Sequence, residues 1–261
     1  MQLPVTVSGK GDPILMIHGV ISDGSFFSQI TRFLEDSFRV ITYDRRGYGN
    51  AEKPAAGEGY SVREQAEDAA RILCEYAEKP AWVFGNSAGS LIALELERIH
   101  PELVRGMVLF EPSFALDEES ERILRGWNEE LNGYVAEGRI KKALPAFGRV
   151  IGKDGSVLSD RSLDALKRTY GNLENFMHGE LNEVQRYRPE LSALQSINIP
   201  VRVVVSEKGR DLMFGRSSVL GAEIIGWRIA EFPGYHNTVA YYPEGCAACL
   251  KSILREAGSE C

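Results

Sequence analysis

The segment Gly85-Asn86-Ser87-Ala88-Gly89 sets a serine between two glycines, after the apolar run 81–84 and before the apolar segment 91–99. A serine on a sharp strand-to-helix turn has strained backbone angles, so its neighbours must be small and its hydroxyl is pushed outward. The helix that follows turns its first N–H groups toward any negative charge that develops there. This is the pattern of a nucleophile for acyl transfer; the alternative is a plain structural turn. A hydroxyl attacks poorly without a base beside it. Of the four histidines, His236 in Pro233-Gly234-Tyr235-His236-Asn237 directly follows the last apolar run. His100, before Pro101, and His178, in a polar stretch, read as surface or packing residues. His18-Gly19 closes the first strong apolar run. Its turn is expected to present the N–H of Val20 opposite the N–H of Ala88, two donors for a tetrahedral oxyanion.

These residues need a scaffold, and the chain alternates strand and helix patterns from its start. Short apolar runs at 14–17, 39–43, 81–84, 107–110, 201–205 and 227–232 each stop at polar or glycine residues. Ligands of open α/β sheets bind outside the carboxyl ends of the strands, so those stops are where chemistry belongs. Residues 61–78 read as a helix opened by the capping box Ser61-Val62-Arg63-Glu64. Segments 91–99 and 243–257 read as further helices. Residues 114–195 break the alternation with polar, helix-favouring sequence carrying Trp127, Tyr134, Phe147 and Phe176. We expect core residues 1–113 and 196–261, with 114–195 inserted as a helical cap. The cap aromatics are expected either to line an apolar pocket or to form the cap's own small core.

With 261 residues the chain is long enough for one large α/β core. Its 30 basic and 37 acidic residues leave a formal charge of −7, which gives no attraction to phosphate backbones or anionic lipid and argues against nucleic acid as a partner. No segment approaches the roughly 18 apolar residues of a membrane span, and no basic-then-apolar leader opens the chain, so the expected location is cytoplasmic. The four cysteines, Cys74, Cys246, Cys249 and Cys261, are too few for a disulfide framework. Cys246 and Cys249 form a C-x-x-C that reads as the buried face of a helix; a redox or metal role lacks a second ligand pair. No cofactor or metal is implied.

His18-Gly19, Asp44-Arg45-Arg46-Gly47-Tyr48-Gly49, the serine turn and the Pro-Gly-x-His segment together resemble the α/β-hydrolase superfamily, in that family's order and over nearly the whole chain. The resemblance implies a mostly parallel sheet with helices on both faces and an inserted cap, its first strands abbreviated because His18 comes early. It implies that Asp44 and Arg46 form a structural ion pair. It also implies a triad in the order serine, acid, histidine. The usual acid position, after the strand that follows the cap, reads Ser206-Glu207-Lys208-Gly209-Arg210-Asp211, with glycine where the acid is expected. A second place used in the family is the end of the strand before the cap, and Glu111 stands there, followed by Pro112, which fixes the chain direction. Some lactone hydrolases share this arrangement. Glu111 is the first choice, with Asp211, Glu207 or a reduced dyad as the alternatives.

The resemblance points to hydrolysis of a small-molecule carboxylic ester or lactone through an acyl-enzyme, with Ser87 as nucleophile, His236 as base and Glu111 as acid. Related epoxide hydrolases and dehalogenases carry aspartate at the nucleophile position, so serine disfavours both. Carbon–carbon, thioester and perhydrolytic reactions use similar parts. A different class of answer is a hydrolase-fold small-molecule receptor, because fold does not fix function.

Overall fold

A computed structural model describes residues 1–54, 59–112, 115–152 and 163–259, except the side chains of 163–166. Seven strands form one sheet: β1 (Val5–Ser8), β2 (Asp12–Ile17), β3 (Phe38–Tyr43), β4 (Ala81–Asn86), β5 (Val104–Phe110), β6 (Val201–Ser206) and β7 (Arg228–Phe232). Their spatial order is β1-β3-β2-β4-β5-β6-β7. All neighbours are parallel except β1, which runs antiparallel to β3 at the edge. The sequence reading found the other six strands and missed β1, a four-residue edge strand with no continuous apolar run.

Successive side chains of a strand point to opposite faces, and here both faces are buried, which is why the strands read as unbroken apolar runs. Leu15, Ile17, Val83, Leu109 and Val203 pack on one side with α2 (Val62–Tyr76) and α3 (Ala88–Ile99). Ile14, Met16, Phe84, Phe110 and Val204 pack on the other with α1 (Ser28–Leu34) and α11 (Pro243–Gly258). The capping box at Ser61 and Glu64 is formed in both directions. Cys246 is buried in α11 among apolar residues, in keeping with a packing role.

Between β5 and β6 the chain forms α4 (Glu118–Ala136), α5 (Ala143–Ile151), α6 (Leu163–Asn175), a π-helical turn (Phe176–Glu180), α7 (Leu181–Arg186) and α8 (Leu191–Gln195). The expected core–insertion boundary at 113/114 lies outside the described residues. These helices carry a third apolar cluster that includes Leu124, Phe147, Phe176 and Leu181, joined by Phe214 of α9 (Met213–Ile225). After β7 come the short α10 (Thr238–Tyr241) and then α11.

Candidate active site

The chain runs from β2 outward to β3 and then crosses back to β4 on the other side of β2, so strand order reverses between β2 and β4. Crevices open at such switch points. Ile17 stands in register with Gly85, which brings the turn after β2 beside the turn after β4. These are the His18-Gly19 and Ser87 turns.

Ser87 has φ 54° and ψ −120°, a left-handed conformation that disfavours any side chain, between β4 and the first turn of α3. Its amide donates to the carbonyl of Phe110 (2.8 Å) and its carbonyl accepts from Ser90 (2.8 Å), so the turn is tied at both ends. A Cβ on Gly85 would collide with Ser90, and one on Gly89 with the carbonyl of Ile17. Both glycines are therefore needed for close packing. Gly19 is in the same position: a Cβ there would lie 3.1 Å from the Cβ of Ser87. Val20 and Ala88 both line the crevice, and neither amide takes part in a turn or loop backbone hydrogen bond among the described residues.

Glu111 also has positive φ (45°) and is buried at the end of β5, one residue past the Asn86–Phe110 register pair. Its Oε1 accepts from the amide of Ser206 (2.8 Å) and from the Ser206 hydroxyl, while Oε2 hydrogen-bonds Nδ1 of His236. The imidazole is flanked by the rings of Phe110 (5.8 Å between centroids) and Phe214 (5.3 Å). Asp211 and Glu207, the alternatives for the acid, are both exposed. The structure thus gathers Ser87, His236, Glu111, Val20 and Ala88 at one edge of the sheet. Sequence reasoning missed Ser206, which orients the carboxylate; its place at the end of β6 beside the β5 terminus was the available signal.

Ser87 and His236 open into a cavity of about 620 Å³. Trp127, Phe147, Phe176 and Phe214 line it and at the same time belong to the third apolar cluster, so the two roles weighed for the aromatics coincide. Tyr134 takes only the packing role and bonds Glu130 (2.6 Å). The lining also includes polar residues, Asp23, Ser25 and Asn172 among them. No group of three metal-ligating side chains occurs among the described residues, and no described helix is long and apolar enough to cross a membrane.

One expectation is corrected. Asp44 and Arg46 do not pair with each other: Asp44 accepts from the amides of Gly24 and Asn50 (both 2.9 Å), whereas Arg46 pairs with Asp68 of α2 (2.6 Å). The loop folds so that its carboxylate caps backbone turns, and the cation finds a carboxylate 22 residues on. His100 bonds Glu67 (3.0 Å) on the outer surface and His178 is exposed, which leaves both outside the site.

Sheet order, switch-point crevice and strained serine turn together define an α/β hydrolase, and the chain belongs to the α/β-hydrolase-fold family, whose model matches residues 12–207. It is 30% identical over 256 residues to the uncharacterized hydrolase YraK of Bacillus subtilis, covering 96% of this chain and 91% of the relative. Among solved structures, a bromoperoxidase from Bacillus anthracis has the same fold at 20% identity and a TM-score of 0.77, covering 96% of this chain and 94% of that one. Est816, described as an N-acyl homoserine lactone degrading enzyme, shares it at 24% identity and a TM-score of 0.73, covering 96% of each chain.

Proposed function

We propose that this protein is a cofactor-independent serine hydrolase that cleaves a small-molecule carboxylic ester or lactone. The observation that carries the proposal is the buried chain from Ser206 through Glu111 to His236, which ends in the same crevice as the strained Ser87. An imidazole held at Nδ1 by a hydrogen-bonded carboxylate keeps Nε2 for proton transfer, and a serine on a left-handed turn lines the same crevice.

In the first half-reaction the Ser87 Oγ–H proton passes to Nε2 of His236 as Oγ bonds the carbonyl carbon. The carbonyl π electrons move onto oxygen, where the amides of Val20 and Ala88 stabilise the charge. Glu111 stabilises the imidazolium through Nδ1. The tetrahedral adduct collapses, the C–O bond to the leaving group breaks, and the departing alkoxide takes the proton from Nε2. In the second half, His236 removes a proton from water, the hydroxide attacks the acyl carbon, and Ser87 leaves with the proton returned. Residues 114–195 serve as the cap: the aromatic wall would receive the apolar part of the acyl group or ring. Phe214, beside the imidazole, contributes to that wall from outside the cap.

The test is labelling with a fluorophosphonate probe followed by peptide mapping, then a screen of esters and lactones with wild type and Ser87→Ala. Labelling at Ser87 with turnover abolished in the variant is expected. A folded protein in which Ser87 stays unlabelled overturns the proposal.

A further inference from the structure

Behind the site lies a buried polar cluster with no place in the mechanism above. Arg45, on the loop after β3, is 1% exposed. Its guanidinium pairs with the fully buried Glu180 and hydrogen-bonds the side chain of Gln65. Glu180 also accepts from the Tyr48 hydroxyl and from Nε2 of Gln65 (2.8 Å). The Arg45 guanidinium lies 4.6 Å from the Tyr48 ring centroid. Burial is the largest single influence and works against the Arg45 charge, but the Glu180 carboxylate together with the Tyr48 and Tyr43 hydroxyls outweighs it, and the net direction is upward, toward the charged form. Glu180 ends the π-helical turn of the 114–195 segment, so the pair spans from that segment to the core.

The Nη2 arm of Arg45, which also donates to Oε2 of Glu180 (3.3 Å), reaches the oxyanion loop. It donates to the carbonyl of Gly19 (3.0 Å), which also accepts from the Ser22 hydroxyl (3.2 Å) and bonds His18 Nδ1 (2.8 Å). Burial and the Arg45 charge push the His18 pKa well below its ordinary value, which keeps the ring neutral. Nε2 accepts from the Arg45 amide (3.1 Å), leaving the proton on Nδ1 to donate to Gly19. The Gly19 carbonyl and the Val20 N–H belong to one trans peptide and point in opposite directions. Whatever holds that carbonyl inward therefore aims the Val20 N–H outward, toward the crevice.

We propose that Arg45, clamped by Glu180, is a positioning residue for the Val20 amide: it fixes the Gly19–Val20 peptide plane and ties the 114–195 segment to the oxyanion site. The catalytic consequence rests on the serine-hydrolase reading; the geometric one does not. A buried pair is best removed whole, since one orphaned charge is worse than none. The test is the double variant Arg45→Met/Glu180→Gln, with Arg45→Lys, which keeps a cation beside Glu180 but lacks the second guanidinium arm that reaches Gly19, as a second variant should the first unfold.

Gly19–Val20 is the only Gly–Val dipeptide in the chain, so labelling glycine carbonyl carbon and valine nitrogen gives a single carbonyl–amide correlation that reports this peptide. In variants that unfold thermally as folded proteins do, this signal is expected to move. Loss of one oxyanion donor typically costs on the order of 10²-fold, so kcat should drop by roughly that factor while KM stays within about twofold. Affinity for a trifluoromethyl ketone, which forms an oxyanion on Ser87, should fall in step with kcat/KM, a split that loss of stability alone would not produce. An unmoved Val20 signal in a folded variant overturns the positioning role, whatever the activity. A normal kcat in a variant whose signal has moved overturns the catalytic consequence of that positioning. A moved signal in a protein whose Ser87 takes no fluorophosphonate supports the geometric role and overturns the hydrolase reading instead.

Discussion

A Cβ added at Gly209 would stand 3.4 Å from Oε1 of Glu111. Gly209 occupies the place in the sequence where the family resemblance implies an acid, and Glu111 arrives from a different strand, yet the two converge on one point beside His236. The carboxylate has in effect two routes to the same spot, and this chain uses the one from β5. Gly209 must then remain small, because its Cβ would collide with the Ser206 hydroxyl that holds Glu111.

Glu111→Gln is expected to lower kcat by roughly 10²- to 10⁴-fold, because an amide oxygen accepts from Nδ1 but does not stabilise the imidazolium as a carboxylate does. Asp211→Asn, on an exposed side chain, should stay within about twofold of wild type, surface substitutions being mostly silent. Steady-state rates on one activated ester decide between them; the reverse order would make Asp211 the acid.

Gly209→Asp alone should reduce turnover, since it displaces Ser206 and sets a second carboxylate beside Glu111. In a Glu111→Ala/Ser206→Ala background, where both obstacles are gone, the same change is expected to recover turnover by about tenfold or more, as a repositioned carboxylate orients His236 again. No recovery in a folded triple variant would mean that Glu111 and position 209 do not serve one point.

Much of this was legible in the sequence because the signals are local. Ser87, its flanking glycines and the strand before it lie within a few residues, and the capping box at Ser61 spans four. His236 and Glu111 were legible because each follows the end of a strand, where topology gathers side chains from distant segments. What stayed hidden depends on long-range pairing. Glu180 is 135 residues from Arg45, and nothing in its own polar surroundings marks it as buried. The Asp44–Arg46 pairing was implied by the family resemblance, whereas Arg46 reaches across to α2 for Asp68. Strand β1 escaped because an antiparallel edge strand of four residues carries neither an apolar run nor enough alternation to separate it from loop.

Strain at Ser87 should be measurable as stability. At φ 54° and ψ −120° any Cβ is disfavoured, whereas glycine adopts this region freely. Ser87→Gly and Ser87→Ala should both lack turnover, but the glycine variant should be more stable than the alanine variant by about 1–2 kcal/mol. Urea unfolding at fixed pH measures the difference. Equal midpoints, with equal slopes, would show that the turn holds no strain that glycine relieves.

The pair formed by His100 and Glu67 gives a pH dependence whose sign can be worked out. The hydrogen bond that His100 donates to Glu67 raises the His100 pKa above 6.5, and the same bond lowers that of Glu67 below 4.5. A raised histidine contributes stability that is present below its unfolded pKa and lost as pH rises through the folded one. A depressed carboxylate contributes stability present above its unfolded pKa and lost as pH falls. Both conditions hold only between about pH 4.5 and 6.5, the unfolded values of the two groups. The pair is largely solvent-exposed, so the effect should be small and should weaken with salt. His100→Gln is therefore expected to lower the thermal midpoint near pH 5.5 and to leave it unchanged near pH 9, with turnover unaffected at either pH. A loss of turnover would make His100 more than a surface residue, and a midpoint loss independent of pH would assign its contribution to packing.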